Sequence, residues 1–575
     1  MSGPGYRASK HLSSGELTRS SNAESQDGRP MKADEAKPFP ARSETSARTH
    51  MPHARKPGDL GARPSKGGHQ REGQKPQAAG VGAEESDTLV VPTCKKSAKT
   101  RVTPVESMEG RGVAKGKPGA AGGSPTQGGP DYFVHLRRVS ERARAHKEEQ
   151  FNNLFSHLKV PLLREAYQRL RRGASAGVDG TTWEEYGEDL EKRLAALQDH
   201  LHSGHYEPQP VRRVFIPKGD GKMRPLGIPS LEDKIVQQAV RMLMEPIYEA
   251  DFLGFSYGFR PGRSQHDALD SLAVAIEQGT NWVLDADIRA FFDTIDHAWM
   301  LRFLGRRMTD RRLLVLLEKW LTAGVMEDDE FHEVEAGTPQ GGIISPLLAN
   351  IYLHYGLDLW VHRWRRKTAR GKISIVRYAD DFVVCAQYED DAYALREALA
   401  VRLATFALEL HPDKTRVVQF GPRAQQDRQA AGLGKPETFD FLGFTLICAQ
   451  DRAGRFQLRR RTSRKKRNSK LKKLREEVRK RRHRPLREQH RWICQVLRGH
   501  DLYYGVPTNY PALKTFHRAV QYAWHQALQR RSQRARWTEW ERREFEEHWP
   551  LPRPKIGHPW PSARFRQKHP HVARR

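Results

Sequence analysis

Apolar and polar positions follow three different patterns along the chain. Up to about residue 130 there is no periodicity. Gly, Pro, Ser, Lys and Arg dominate, and Tyr6 and Phe39 are the only aromatic residues. Such a stretch buries too little apolar surface to offset its ordering entropy, so it is expected to be a disordered basic tail. From about Asp131 helical spacing sets in. Phe151, Leu154, Phe155, Leu158, Leu162, Leu163, Tyr167 and Leu170 predict helix within 134–172. Leu190, Leu194 and Leu197 predict another over 182–202, after a Gly-rich turn at 173–180. Apolar runs then predict strands at 214–218 and 282–288 and a two-stranded stretch over 373–386, with helices at 231–248 and 390–408. The last stretch, 451–575, returns to helical spacing through Leu471, Leu474 and Val478, then Trp492, Ile493, Val496 and Leu497, then Leu513, Phe516, Val520, Trp524 and Leu528.

Within this pattern 373–386 stands out. Two apolar strands flank a turn that carries Asp380 and Asp381. Adjacent carboxylates at the tip of a buried hairpin are costly to desolvate unless a cation sits there. Mg²⁺ is the natural candidate, since it takes carboxylate and phosphate oxygens together. The plainer alternative is that Asp-Asp simply makes a turn. The strand at 282–288 offers a second carboxylate, Asp287, followed by the bulky Phe291 and Phe292. Lys218 and Arg224 flank a Gly-Asp-Gly hairpin turn, where they would grip a triphosphate. The loop 255–264 is basic and aromatic, suited either to stacking bases or to tucking its rings into the core. The loop 337–346 holds small residues that would let a base pair approach the backbone.

Charge narrows the partner. Lys and Arg number 99 against 69 Asp and Glu, a net +30 with an isoelectric point near 10. A polyanion is implied, most simply nucleic acid, with an anionic membrane surface as the alternative. Residues 451–575 carry 36 Lys and Arg against 10 Asp and Glu, so most of the excess lies on the helical C-terminal region. No run of 18 apolar residues and no signal-peptide core is present, which argues against a membrane protein. The four cysteines, Cys94, Cys385, Cys448 and Cys494, show no zinc or disulfide spacing, as expected in a reducing compartment.

In their order, the strand ending at Asp287, the 337–346 loop, Tyr378-Ala379-Asp380-Asp381, the stretch 410–415 and Phe441-Leu442-Gly443-Phe444 resemble the successive motifs of reverse transcriptases. The 173–180 turn, the 255–264 loop and the basic helical region with Gly499-His500-Asp501-Leu502-Tyr503-Tyr504-Gly505 resemble the group II intron-encoded reverse transcriptase/maturases. The resemblance implies an α+β right-hand polymerase followed by an α-helical thumb. Its expected divisions are a disordered tail at 1–130, an N-terminal helical extension at 131–205, fingers and palm at 206–446, a thumb/maturase domain at 447–560 and a basic tail at 561–575. It implies RNA-directed DNA synthesis with two Mg²⁺ ions on Asp287, Asp380 and Asp381. Lys218 and Arg224 would neutralise the nucleotide, Phe291 or Phe292 would exclude a 2′-hydroxyl, and Gln340 and Gly341 would line the templating pair. Arg464, Lys465, Lys466 and Arg467 would bind intron RNA. The implied partners are group II intron RNA, a primed RNA template, deoxynucleoside triphosphates and a DNA target. Splicing assistance, intron mobility by target-primed reverse transcription and a cytoplasmic location follow from the same resemblance. The zinc-dependent endonuclease that often closes such chains is expected to be missing, as no cysteine follows Cys494. Two rivals stay open: a catalytically silent RNA-binding splicing cofactor, and a reverse transcriptase with a defence or diversity-generating role.

Overall fold

A computed structural model describes residues 131–217, 223–327, 330–334, 336–338, 341–532 and 537–569. The proposed basic tail, Lys218 and Gln340 lie outside the described residues. Four N-terminal helices, Asp131–Ala145, Val160–Arg169, Trp183–Glu188 and Leu190–Ser203, replace the two longer ones that the spacing predicts. Pro161 explains one break: it lies in the first turn of its helix, where a missing N–H costs nothing. Asp189, with ψ 37°, interrupts the other.

The described strands are β1 (Val211–Pro217), β2 (Met223–Ile228), β3 (Trp282–Asp287), β4 (Val325–Glu327), β5 (Glu330–His332), β6 (Ile373–Tyr378), β7 (Asp381–Ala386), β8 (Arg416–Gln419), β9 (Phe439–Phe441), β10 (Phe444–Gln450) and β11 (Phe456–Thr462). They form three sheets, ordered β2-β1-β4-β5, β6-β7-β3-β8 and β11-β10-β9. The middle sheet is antiparallel throughout. Because side chains alternate between faces, one face buries Leu284, Ala286, Ile375, Phe382 and Val384 against the helices Leu231–Asp251, Ser345–Leu353 and Glu389–Ala404. Its other face buries Val283, Val376, Val383, Cys385 and Val418 against the helix Gln265–Glu277 and the β9–β11 sheet. Burial on both faces is why 373–386 reads as a continuous apolar run.

The C-terminal region is not wholly helical. The β10–β11 hairpin runs from Phe444 to Thr462, across residue 446 and into the region that the spacing reads as helices. Helices Arg464–Lys480, Leu486–Tyr504 and Tyr510–Gln529 follow. Leu471, Leu474, Val478, Ile493, Leu497, Phe516, Val520 and Trp524 share one core, while Trp492 and Val496 lie at its margin. Leu513 belongs instead to the core shared with the middle sheet. Among the described residues no helix is long and apolar enough to cross a membrane.

Candidate active site

The register of the middle sheet brings the predicted carboxylates together. Asp287, the last residue of β3, lies directly opposite Asp381, the first residue of β7. Directly opposed residues share a face with Cβ atoms about 5 Å apart. Asp380 occupies the turn between β6 and β7, next to Ala379, whose φ of 57° is left-handed. Tyr378 completes the row on the other side of Asp381. One row further in, Asp285 faces Val383 on one side and Arg416 on the other. Asp285 shares the face of Asp287 because it is two residues away in a strand. That makes it a fourth carboxylate which the motif comparison passes over, although its spacing from Asp287 gives it away.

Cations answer these carboxylates only in part. Lys414, in the 410–415 stretch, bonds Asp287. The Arg416 guanidinium is 3.6 Å from Asp285. Burial, relieved by Arg416, pushes the Asp285 carboxyl up to about 6. Burial also raises Asp380, with Asp287 adding to it and Arg224 and Lys414 opposing it. Asp381 is pushed well above the usual carboxylate range by burial, then by the charges of Asp285, Asp380 and Asp287. Among the described residues three cations, Arg224, Lys414 and Arg416, stand against the four carboxylates. Among the described residues no group of three or more His, Cys, Asp or Glu side chains is placed to hold a metal ion, and Asp287 faces Lys414. The donor set is nonetheless all carboxylate oxygen, the chemistry that Mg²⁺ selects.

The remaining candidates separate. Arg224, on β2, is close enough for its charge to act on Asp380. Phe291 is 2% exposed and packed in the core against Tyr352. Phe292 is only partly buried, and its carbonyl accepts a bond from Thr338 N at 2.8 Å. Of the two rings, only Phe292 is open to a substrate. Gly341 has φ 117°, and a Cβ there would overlap the Gly227 carbonyl, so its close approach is to the chain's own β2. Arg464, Lys465 and Lys466 are exposed at the start of the Arg464–Lys480 helix, and Arg467 is half-buried. That first turn holds no acid. Four cations at a helix N-terminus oppose the macrodipole, so they do nothing for the helix itself.

The 255–264 loop takes the inward alternative. Phe255 and Tyr257 are buried, and the Arg260 guanidinium pairs with Glu249 at 2.6 Å and bonds the Leu253 and Ser256 carbonyls. Within it, Phe259 is the exposed ring, at 50%. Its backbone runs along β6, with Arg377 N donating to Phe255 O at 2.9 Å and Tyr257 N to Arg377 O at 2.8 Å.

Residues 216–446 match the family described as reverse transcriptase (RNA-dependent DNA polymerase). Protein YkfC of Escherichia coli strain K12 is 36% identical over 314 residues, 49% of this chain and 78% of that protein. The group II intron-encoded protein LtrA of Lactococcus lactis subsp. cremoris is 40% identical over 237 residues, 41% of this chain but 39% of LtrA. The putative COX1/OXI3 intron 1 protein of Saccharomyces cerevisiae is 33% identical over 229 residues, 40% of this chain and 27% of that protein. The match thus spans less than half the length of these two intron-encoded relatives.

Proposed function

The chain belongs to the group II intron-encoded reverse transcriptase/maturase family, and on that premise we propose that it is an RNA-directed DNA polymerase that also binds its intron RNA to assist splicing. The observation that carries the reading is the row of carboxylates at the end of a buried sheet, which outnumber the cations beside them among the described residues. Asp287, Asp380 and Asp381 would hold two Mg²⁺ ions. Bound there, the ions would supply Lewis-acid activation of the primer 3′-hydroxyl and charge for the leaving pyrophosphate. Arg224, together with Lys218, would neutralise the triphosphate. Phe292, the less buried ring of its pair, would pack under the sugar and exclude a 2′-hydroxyl. Gln340 and Gly341 would lie along the templating pair.

For the RNA-binding half, the support is the Arg464–Arg467 cluster. Its charges oppose the helix dipole, an arrangement that makes sense when a phosphate backbone lies against them. Intron mobility by target-primed reverse transcription on a DNA target, in the cytoplasm, belongs to the same proposal.

Primer extension on an RNA template with deoxynucleotides tests the enzyme. Mg²⁺-dependent cDNA is the expected product, and its absence from folded protein would favour the silent splicing cofactor. A salt series on intron RNA tests the clamp. Neutralising Arg464, Lys465, Lys466 and Arg467 should flatten the log–log slope by roughly 0.7 to 0.9 per lost phosphate contact. An unchanged slope would remove that segment from the interface.

A further inference from the structure

We infer that Arg377 is a positioning residue which holds the Asp380-Asp381 turn in its left-handed shape, through a buried network that also fixes the 255–264 loop. The inference rests on the polymerase reading for its consequence but not for its geometry.

Arg377 immediately precedes Tyr378-Ala379-Asp380-Asp381 and is fully buried. Its guanidinium spends every arm. Nε donates to Asp358 Oδ1 at 2.7 Å, and Nη2 bonds the other oxygen of the same carboxylate. Nη1 donates at 3.0 Å to Asn350 Oδ1 and at 3.0 Å to the carbonyl of Ala379. Asn350 Nδ2 in turn donates to the Gly258 carbonyl at 2.8 Å. Gly258 lies so close to the turn that a Cβ would overlap the Ala379 nitrogen. Ala379 is therefore hemmed from two directions, bonded by Arg377 at its carbonyl and closely approached by Gly258 at its nitrogen.

Why such a network occupies the core needs an explanation other than stability. A fully buried ion pair is seldom more stabilising than two apolar side chains of the same volume. Asp358 is also placed at a cost, at the end of a π-helical turn, His354–Asp358, between two α-helices. Ala379 sits at φ 57°, where a side chain is strained, and such strain persists only where the surroundings over-determine it. The three attachments come from three elements: Gly258 from the 255–264 loop, Asn350 from the helix Ser345–Leu353, and Asp358 from the π-helical turn His354–Asp358. What they share is the backbone that carries Asp380. Asn350, Asp358 and Gly258 are thus joined to the site without touching its carboxylates.

Two variants test this. Arg377→Lys keeps the buried charge but cannot fork to Asp358 and also reach Asn350 and Ala379. The double variant Arg377→Met/Asp358→Leu removes both charges and keeps the volume apolar. Three measurements are made on the full chain: thermal unfolding, hydrogen exchange of peptides spanning 376–384, and primer extension resolved into kcat and KM. We expect melting to stay cooperative, at a lower temperature for Arg377→Lys and nearer the parent for the double variant, exchange at 376–384 faster by about tenfold, and kcat lower by roughly 10- to 100-fold with KM for the nucleotide little changed. If the double variant fails to fold, Arg377→Lys decides alone. Unchanged exchange at 376–384 overturns the proposal, as does faster exchange with kcat unchanged. If the parent itself extends no primer, the polymerase reading fails, and the exchange data alone decide whether Arg377 holds the turn.

Discussion

Asp267 and Asp270, on the helix Gln265–Glu277, are buried, and Asp285, Asp287 and Asp381, on β3 and β7, are partly buried, but their cationic surroundings differ more than their burial does. Three cations converge on the first pair. Arg564 reaches Asp267 at 3.0 Å and Asp270 at 3.4 Å, Lys568 bonds Asp267, and Arg460 bonds Asp270 at 2.8 Å. Burial works against ionisation at Asp267, yet the bond and charge of Lys568, with the Ser264 cap, hold its carboxyl below the usual range. Burial lifts Asp270, and Arg460 and Arg564 oppose the rise. At Asp381 the neighbours are Asp285, Asp380 and Asp287, and they add to burial instead. Carboxylates matched by more cations than they need make a clamp, here between that helix, β11 and the C-terminal helix Pro561–Lys568. Carboxylates that outnumber the cations beside them, as those of the middle sheet do among the described residues, suit the proposed ions.

The largest effect should come from breaking the under-matched cluster. Asp380→Ala removes a proposed ion ligand, and primer extension should fall by about 1,000-fold or more. Binding of intron RNA should persist, which a filter or gel assay on the same preparation checks. Activity within tenfold of the parent would take Asp380 out of the site.

The over-matched cluster should respond in stability rather than activity. Asp270→Ala leaves the Arg460 guanidinium, 2% exposed, without its carboxylate. An uncompensated buried charge of this kind costs about 3–5 kcal/mol, read as a lower urea midpoint. A loss below about 1 kcal/mol would mean that the clamp holds little.

How far these clusters could be read beforehand follows from what each depends on. Asp287, Asp380 and Asp381 were legible because strand period and turn residues are local, and both faces of the sheet are buried. The choice between Phe291 and Phe292 was not, since a short 3₁₀ turn, Phe291–Asp293, decides which ring enters the core. Long-range contacts hid the rest. Nothing near Arg377 in sequence says that Asp358 and Asn350 meet it, or that the 255–264 loop serves as a ledge for the turn. The clamp joins residues about 300 positions apart. The β10–β11 hairpin was masked by its arginines: β11 reads Phe456-Gln457-Leu458-Arg459-Arg460-Arg461-Thr462, and its Arg460 points into the protein, onto Asp270.

A substitution that only neutralises should give the two clusters opposite signs. Asp381→Asn relieves repulsion from the three neighbouring carboxylates, so it should raise stability in urea unfolding without divalent ions, and it should abolish extension when Mg²⁺ is supplied. Asp267→Asn weakens the bonds of Lys568 and Arg564 and should lower stability. Equal signs in urea unfolding would erase the distinction between the clusters.

The smallest effect concerns a histidine beside the clamp. His266 stacks on His558 with ring centroids 3.9 Å apart and lies near Phe444 and Tyr503. Neither of its ring nitrogens has a hydrogen-bond partner among the described residues. Burial, then the charges of His558, Arg564 and Arg460, pull its pKa from 6.5 down to about 2, against the pull of Asp267. The sign follows from proton uptake. Above pH 6.5 the ring is neutral in both states and carries no penalty. Below pH 6.5 the unfolded chain binds a proton that the folded chain refuses, so stability falls with pH by about 1.4 kcal/mol per unit. The loss continues until the pH nears the folded-state value. His266→Phe keeps a flat ring on His558 and removes the two unbonded nitrogens. Urea unfolding of both proteins at pH 7.5 and 5.5 measures the difference. Relative to the parent, the variant should gain about 1.4 kcal/mol between the two pH values. Because His558 remains in both proteins, its own titration largely cancels from that difference. An identical gap at both pH values would mean that the folded chain protonates His266 as readily as the unfolded chain does. The clamp would then be open to solvent at the His266 ring, and Arg460 and Arg564 would hold Asp270 without the dry surroundings on which the comparison with the palm depends.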